Sequence, residues 1–174
     1  MTSSRTPPVT KCTIVAANCA VVGGSIYVTA EPAANEYAKC AAAGVKTALS
    51  VRTPGETNTP AYDFGEPATW QSLGIPFANF PLAHGLSQGQ FDVEATMAAH
   101  ILALTSTSTL IHCSTGDRAS SVVAVPLVLA NFCSGEAAAT WARTNLFLEA
   151  FYDYVVNYTP VRLALPAPQL ELAW

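Results

Sequence analysis

Charge is scarce in this sequence: Asp, Glu, Lys and Arg make up 11% of 174 residues, and only eight of these are basic. Eight scattered cations and a net charge of −4 leave no basic patch for a phosphate backbone, so nucleic acid is excluded as a partner. Long hydrophobic runs are missing too. The longest, from Val122 to Leu129, is too short to span a bilayer and carries Pro126. The apolar stretch 12–22 is interrupted by Asn18 and makes a weak export signal. A cytoplasmic protein with no membrane partner is therefore expected. The five cysteines (Cys12, Cys19, Cys40, Cys113, Cys133) contain no Cys-x-x-Cys pair, and the three histidines complete no zinc spacing. Neither a metal nor another cofactor is expected. Cys12 and Cys19 are placed to pair across two N-terminal strands, but a reducing cytosol favours free thiols.

What is abundant is apolar surface. With 51% hydrophobic residues the chain has enough to bury a sizeable core, and without repeat or linker it reads as one domain over 1–174, a monomer or weak dimer. Strand-like and helical patterns alternate. "CTIVAA" (12–17) and "SIYVTA" (25–30) read as strands around a Gly23-Gly24 turn. Pro32 opens a helix that ends at Gly44, followed by a strand over 45–51. A proline- and glycine-rich loop occupies 52–67, a short helix covers 70–73, and "IPFANFPL" forms another strand. Ser87 and Gln90 form a capping box for the next helix. The strand "TLIHC" then leads through a loop into a helix over 118–132. Ser134 caps a helix over 135–145, "FLEAFYDYVVNY" is the last helix, and 160–174 is an extended tail. This alternation predicts an α/β fold, a mainly parallel central sheet with helices on both faces.

The chemistry concentrates in "LIHCSTGDRASS", residues 110–121. A loop between a strand's carboxyl end and a helix's start turns successive N–H groups inward, at the positive end of the helix dipole. Such a nest holds an anion, either a thiolate or a substrate oxyanion. Cys113 stands at the strand end as the nucleophile such a nest would activate. Gly116 permits the tight path, and Arg118 offers a planar fork to a tetrahedral oxyanion.

"HCSTGDRAS" resembles the loop of cysteine-dependent phosphatases. In its short form it is similar to the β-lactamase-hydrolase-like phosphatases, a dual-specificity, protein-tyrosine-phosphatase-like group. The resemblance spans roughly 20–148 and includes "IYVTAEP", "AAAGVKTALSVRTPGE", "GIPFANFPL" and "EAAATWARTNLF". It implies the three-layer fold of that group. It also implies Cys113 as nucleophile, Arg118 as the phosphate-binding arginine, and Ser114, Thr115, Gly116 and Asp117 as cradle amides. Arg52 and Glu56 fall on the motif after the family's strand, where they organise the rim of the site. His112 orients the loop beside Cys113.

The sequence departs from the family pattern in three places. Four residues separate Cys113 and Arg118 instead of five, a size that rhodanese-type sulfurtransferases use to hold a persulfide. Ala119 stands where many such phosphatases place a hydroxyl beside the leaving thiolate, leaving Ser120 or Ser121 as substitutes. "FPLAHGLSQ" has no aspartate where the general acid belongs, so His84 and Asp117 are the candidate acids. His84 reads more readily as a surface loop residue, and Asp117 as a helix-start residue favoured by the dipole. The expected activity is hydrolysis of a phosphate monoester, on a protein or a small molecule, through a thiophosphoryl-cysteine intermediate. The alternatives are sulfur transfer by a Cys113 persulfide and a non-catalytic module binding a small oxyanion.

Overall fold

A computed structural model describes residues 6–53, 56, 65–104 and 107–163. Strands β1 (Val9–Lys11), β2 (Cys19–Val22) and β3 (Ile26–Thr29) form an antiparallel meander. Gly23 and Gly24, at φ 58° and 75°, close the β2–β3 hairpin in a left-handed conformation that glycine adopts without strain. The chain continues through α1 (Tyr37–Ala42), β4 (Thr47–Ser50), α2 (Glu66–Ser72), β5 (Phe77–Asn79) and α3 (Gln88–Leu104). Then come β6 (Thr109–His112), α4 (Asp117–Leu129), α5 (Gly135–Asn145) and α6 (Tyr152–Val156).

The six strands make one mixed sheet in the order β1-β2-β3-β6-β4-β5, parallel from β3 to β5. Each inner strand buries both faces by alternation. Val28, Leu49 and Ile111 point into the larger core, built with α3, α4, α5 and α6. Ala48 and Leu110 point the other way, onto α1 and α2 through Cys40 and Trp70. The result is the expected three-layer α/β architecture. Helix α4 is buried from Asp117 through Leu127 because it lies between the sheet and the outer helices.

Several elements differ from the sequence expectation. Residues 12–17 are not a strand; β1 precedes them and β2 follows them. Helix α1 starts at Tyr37, not Pro32, because the Glu36 carboxylate takes the amides of Ala33 and Ala16 and fixes a turn first. The last helix is cut to Tyr152–Val156, since Asp117 captures the amides of residues 149–151. The expectation of free thiols is overturned at Cys12 and Cys19, which form a disulfide. Their Cα atoms lie 5.0 Å apart, and the Cys12 amide donates to the Cys19 carbonyl at 3.1 Å. Most of the loop expected over 52–67, and the tail from 164, lie outside the described residues. Among the described residues no helix is long and apolar enough to cross a membrane.

Candidate active site

Strand register brings the site together. His112, the last residue of β6, lies level with Thr29 of β3 and Ser50 of β4. Two residues beyond those ends come Glu31 and Arg52, so both flank Cys113 and Ser114 at the carboxyl edge of the parallel strands, where such sheets bind ligands. The Val51 amide donates to the His112 carbonyl at 2.9 Å, and the Glu31 amide to the Ser114 carbonyl at 3.3 Å.

The loop from Cys113 to Arg118 is held from outside by its carbonyls. Ser114 O is taken by the Glu31 amide, Thr115 O by Asn18 Nδ2 at 2.7 Å, and Gly116 O by Ser120 Oγ at 2.7 Å. In a trans peptide the N–H points opposite to the carbonyl, so these tethers turn the amides of Thr115, Gly116 and Asp117 inward. The Gly116 amide accordingly donates to Cys113 Sγ at 3.1 Å. Glycine is required here on two grounds. Its φ is +98°, and an added Cβ would stand 2.8 Å from Phe147 Cδ2.

Arg118 and Arg52 are buried cations bridged by one carboxylate. Arg118 Nη1 and Nη2 donate to the two Glu56 oxygens, and Nη1 also donates to Leu82 O at 3.1 Å. Those bonds use three of five guanidinium N–H groups. The N–H groups of the Nε–Nη2 edge remain, and the guanidinium hydrogen-bonds the Cys113 sulfur. Arg52 donates to Glu31 at 2.9 Å and to the Glu56 side chain and carbonyl. Burial alone would push the Glu56 carboxyl up. The Arg118 hydrogen bond, the Thr53 amide and the two arginine charges outweigh it, bringing the carboxyl from 4.5 to about 2. Burial would likewise weaken the Arg118 charge, but Glu56 and the Cys113 sulfur raise its affinity for the proton.

Behind the loop lies a second carboxylate. Glu66 Oε1 bonds His112 Nε2 and accepts from Trp70 Nε1 at 3.0 Å, while His112 Nδ1 lies 3.4 Å from the Cys113 carbonyl. Glu66 and His112 are both buried. Burial pushes the Glu66 carboxyl up, and the charge and hydrogen bond of His112 reverse that, leaving it below its ordinary value.

The structure thus gathers Cys113, Ser114, Thr115, Gly116, Arg118, His112, Arg52 and Glu56 into one place, with some roles changed. Arg52 has no exposure and supports the site from within, as a buried strut between Glu31 and Glu56. Asp117, a candidate acid, has both oxygens engaged by backbone: they accept the amides of Glu149, Ala150 and Phe151 at 2.8, 3.0 and 3.4 Å. Ser120 and Ser121 do not stand in for a hydroxyl at the thiolate. Ser120 Oγ donates to Gly116 O and accepts from the Phe147 amide, and Ser121 Oγ donates to Arg118 O. His84 is exposed on the segment whose Leu82 carbonyl binds Arg118, with its ring against Phe151 at 5.5 Å between centroids. Sequence reasoning missed Glu31, Glu66, Asn18 and Phe147. Glu66 sat in a stretch read as loop, and only its burial distinguishes it from a solvated helix-start carboxylate.

No family model matches the chain, and no curated protein matches it. Solved structures do. A variant of P. aeruginosa TpbA in complex with pTyr aligns over 86% of this chain and 86% of its own, at 15% identity and a TM-score of 0.65. Kinase associated phosphatase (KAP), with its catalytic-site cysteine replaced by serine, aligns over 88% and 94%, at 17% identity and 0.63. The core catalytic domain of the PP-IP phosphatase SIW14 from S. cerevisiae, in complex with citrate, aligns over 77% and 80%, at 16% identity and 0.58. At these identities the likeness is one of fold: the chain has the fold of the cysteine-dependent, protein-tyrosine-phosphatase-like phosphatases.

Proposed function

We propose that this protein is a cysteine-dependent phosphatase acting on phosphate monoesters. The observation that carries the reading is the Gly116 N–H on the Cys113 sulfur, with Arg118 fixed beside that sulfur by Glu56. Its fold neighbours, which include a structure in complex with pTyr, support it.

In this reading the loop amides and the Nε–Nη2 edge of Arg118 bind the three non-bridging oxygens of the ester. The Cys113 thiolate attacks phosphorus, the bond to the leaving oxygen breaks, and a thiophosphoryl-cysteine forms. Charge on those oxygens is stabilised by donors already in place, the main catalytic contribution. His84 supplies the proton to the departing oxygen, since Asp117 is occupied elsewhere. Water then attacks phosphorus, the P–S bond breaks, and phosphate leaves the regenerated thiolate. The reaction calls for no metal or cofactor. As for compartment, the Cys12–Cys19 disulfide supports an oxidising one over the cytoplasm expected.

Sulfur transfer remains the second reading because four residues, not five, separate Cys113 from Arg118. One preparation assayed for aryl phosphate hydrolysis and for thiosulfate:cyanide transfer decides between them. Phosphate release lost in Cys113→Ser, with no thiocyanate formed, is the expected result. Thiocyanate without phosphate would overturn it.

A further inference from the structure

The segment between β1 and β2 supplies no reacting group, yet it touches the nucleophile's loop. It is closed on itself by the Cys12–Cys19 disulfide. Asn18, next to Cys19, is fixed at both ends. Its backbone carbonyl accepts the Ala30 amide at 2.9 Å, and its side-chain Nδ2 donates to Thr115 O at 2.7 Å. Thr115 C=O and Gly116 N–H belong to one peptide unit, and that N–H is the donor on Cys113 Sγ at 3.1 Å. A hydrogen-bond chain therefore runs from the Asn18 amide through a single peptide group to the sulfur. In such a chain each bond polarises the next, and the Asn18 donor strengthens the Gly116 donor.

We propose that Asn18, held in place by the Cys12–Cys19 disulfide, is a positioning residue that orients and polarises the Gly116 peptide against the Cys113 sulfur. Asn18 touches neither sulfur nor substrate; it acts through the Thr115–Gly116 peptide. Thr115 is exposed and its carbonyl would otherwise bond water, leaving the peptide plane free to rock. The disulfide matters because it limits the freedom of the short loop that carries Asn18, while the Ala30 bond fixes only its backbone. The proposal rests on Cys113 as the site's nucleophile, although its test does not depend on which group is transferred.

The test is the pH profile of Cys113 alkylation by iodoacetamide, read by peptide mapping alongside thermal melting. Asn18→Ala should displace the profile to higher pH and slow alkylation near neutrality about fivefold, the equivalent of one neutral hydrogen bond. Asn18→Asp keeps the shape but has no donor, and should do at least as much. The Cys12→Ala/Cys19→Ala pair should shift the profile in the same direction and add little in the Asn18→Ala background, since both act through one bond. A purely structural role would lower the melting temperature and leave the profile in place, and that result overturns the proposal. So would a disulfide effect that adds in full to that of Asn18→Ala. Aryl phosphate turnover by the parent protein is followed in parallel. A parent that alkylates as described but releases no phosphate refutes the phosphatase reading and not the role of Asn18.

Discussion

Arg118 owes its place to a carboxylate 62 residues earlier in the chain, and that dependence can be tested at single residues. Arg118→Lys keeps the charge but loses the planar fork that meets Glu56 and Leu82 O and that the proposed reaction uses on the oxyanion. Vanadate affinity should fall by roughly 10- to 100-fold, the cost of a charged hydrogen bond or two; equal affinities would mean that the Nε–Nη2 edge does not face the ligand. Glu56 makes a pH prediction. Its folded value is depressed from 4.5 to about 2, so its contribution to stability is full above about 4.5 and lost as pH falls toward 2. Glu56→Gln should flatten the stability curve in that window, read from urea unfolding at successive pH values. At His84 the leaving group decides. His84→Ala should slow phenyl phosphate hydrolysis far more than that of a nitrophenyl ester, whose leaving oxygen needs little protonation. Equal losses on both substrates would make His84 structural.

At the scale of elements, the loop and α4 depend on the segment that follows α5. Phe147 packs on Gly116, its amide reaches Ser120, and residues 149–151 hang on Asp117. Asp117→Asn keeps much of the shape but replaces one acceptor oxygen with a donor facing backbone amides. It should cost roughly 1–3 kcal/mol of stability in chemical denaturation, while the leaving-group dependence of the rate stays unchanged. A change in that dependence would return Asp117 to the role of acid. The sequence marked this helix start well, because Gly116-Asp117 and the apolar run after Arg118 are local signals. It did not mark the shortened last helix, because the competing acceptor for residues 149–151 lies more than thirty positions upstream.

At the scale of the molecule, the net charge of −4 disfavours anionic ligands, and both site arginines are already balanced by Glu31 and Glu56. Salt should therefore raise kcat/KM for polyanionic phosphate substrates more than for a simple aryl monoester. A fall with salt would show that a local positive field dominates over the net charge. What the sequence determined by itself is what local chemistry dictates. The strand–loop–helix around Cys113 follows from apolar alternation, one glycine and a helix start. The Ser87 and Ser134 caps follow from side chains that reach backbone amides three residues on. The α/β order follows from alternating periods. Tertiary structure decided whatever depends on which distant groups become neighbours. Strand register set Glu31 and Arg52 beside the loop, Glu66 came to lie behind His112, and the Cys12–Cys19 loop brought Asn18 to Thr115. These partners are charged or polar residues with no local pattern of their own. Their roles come from burial and pairing across dozens of residues, which exist only once the sheet has formed.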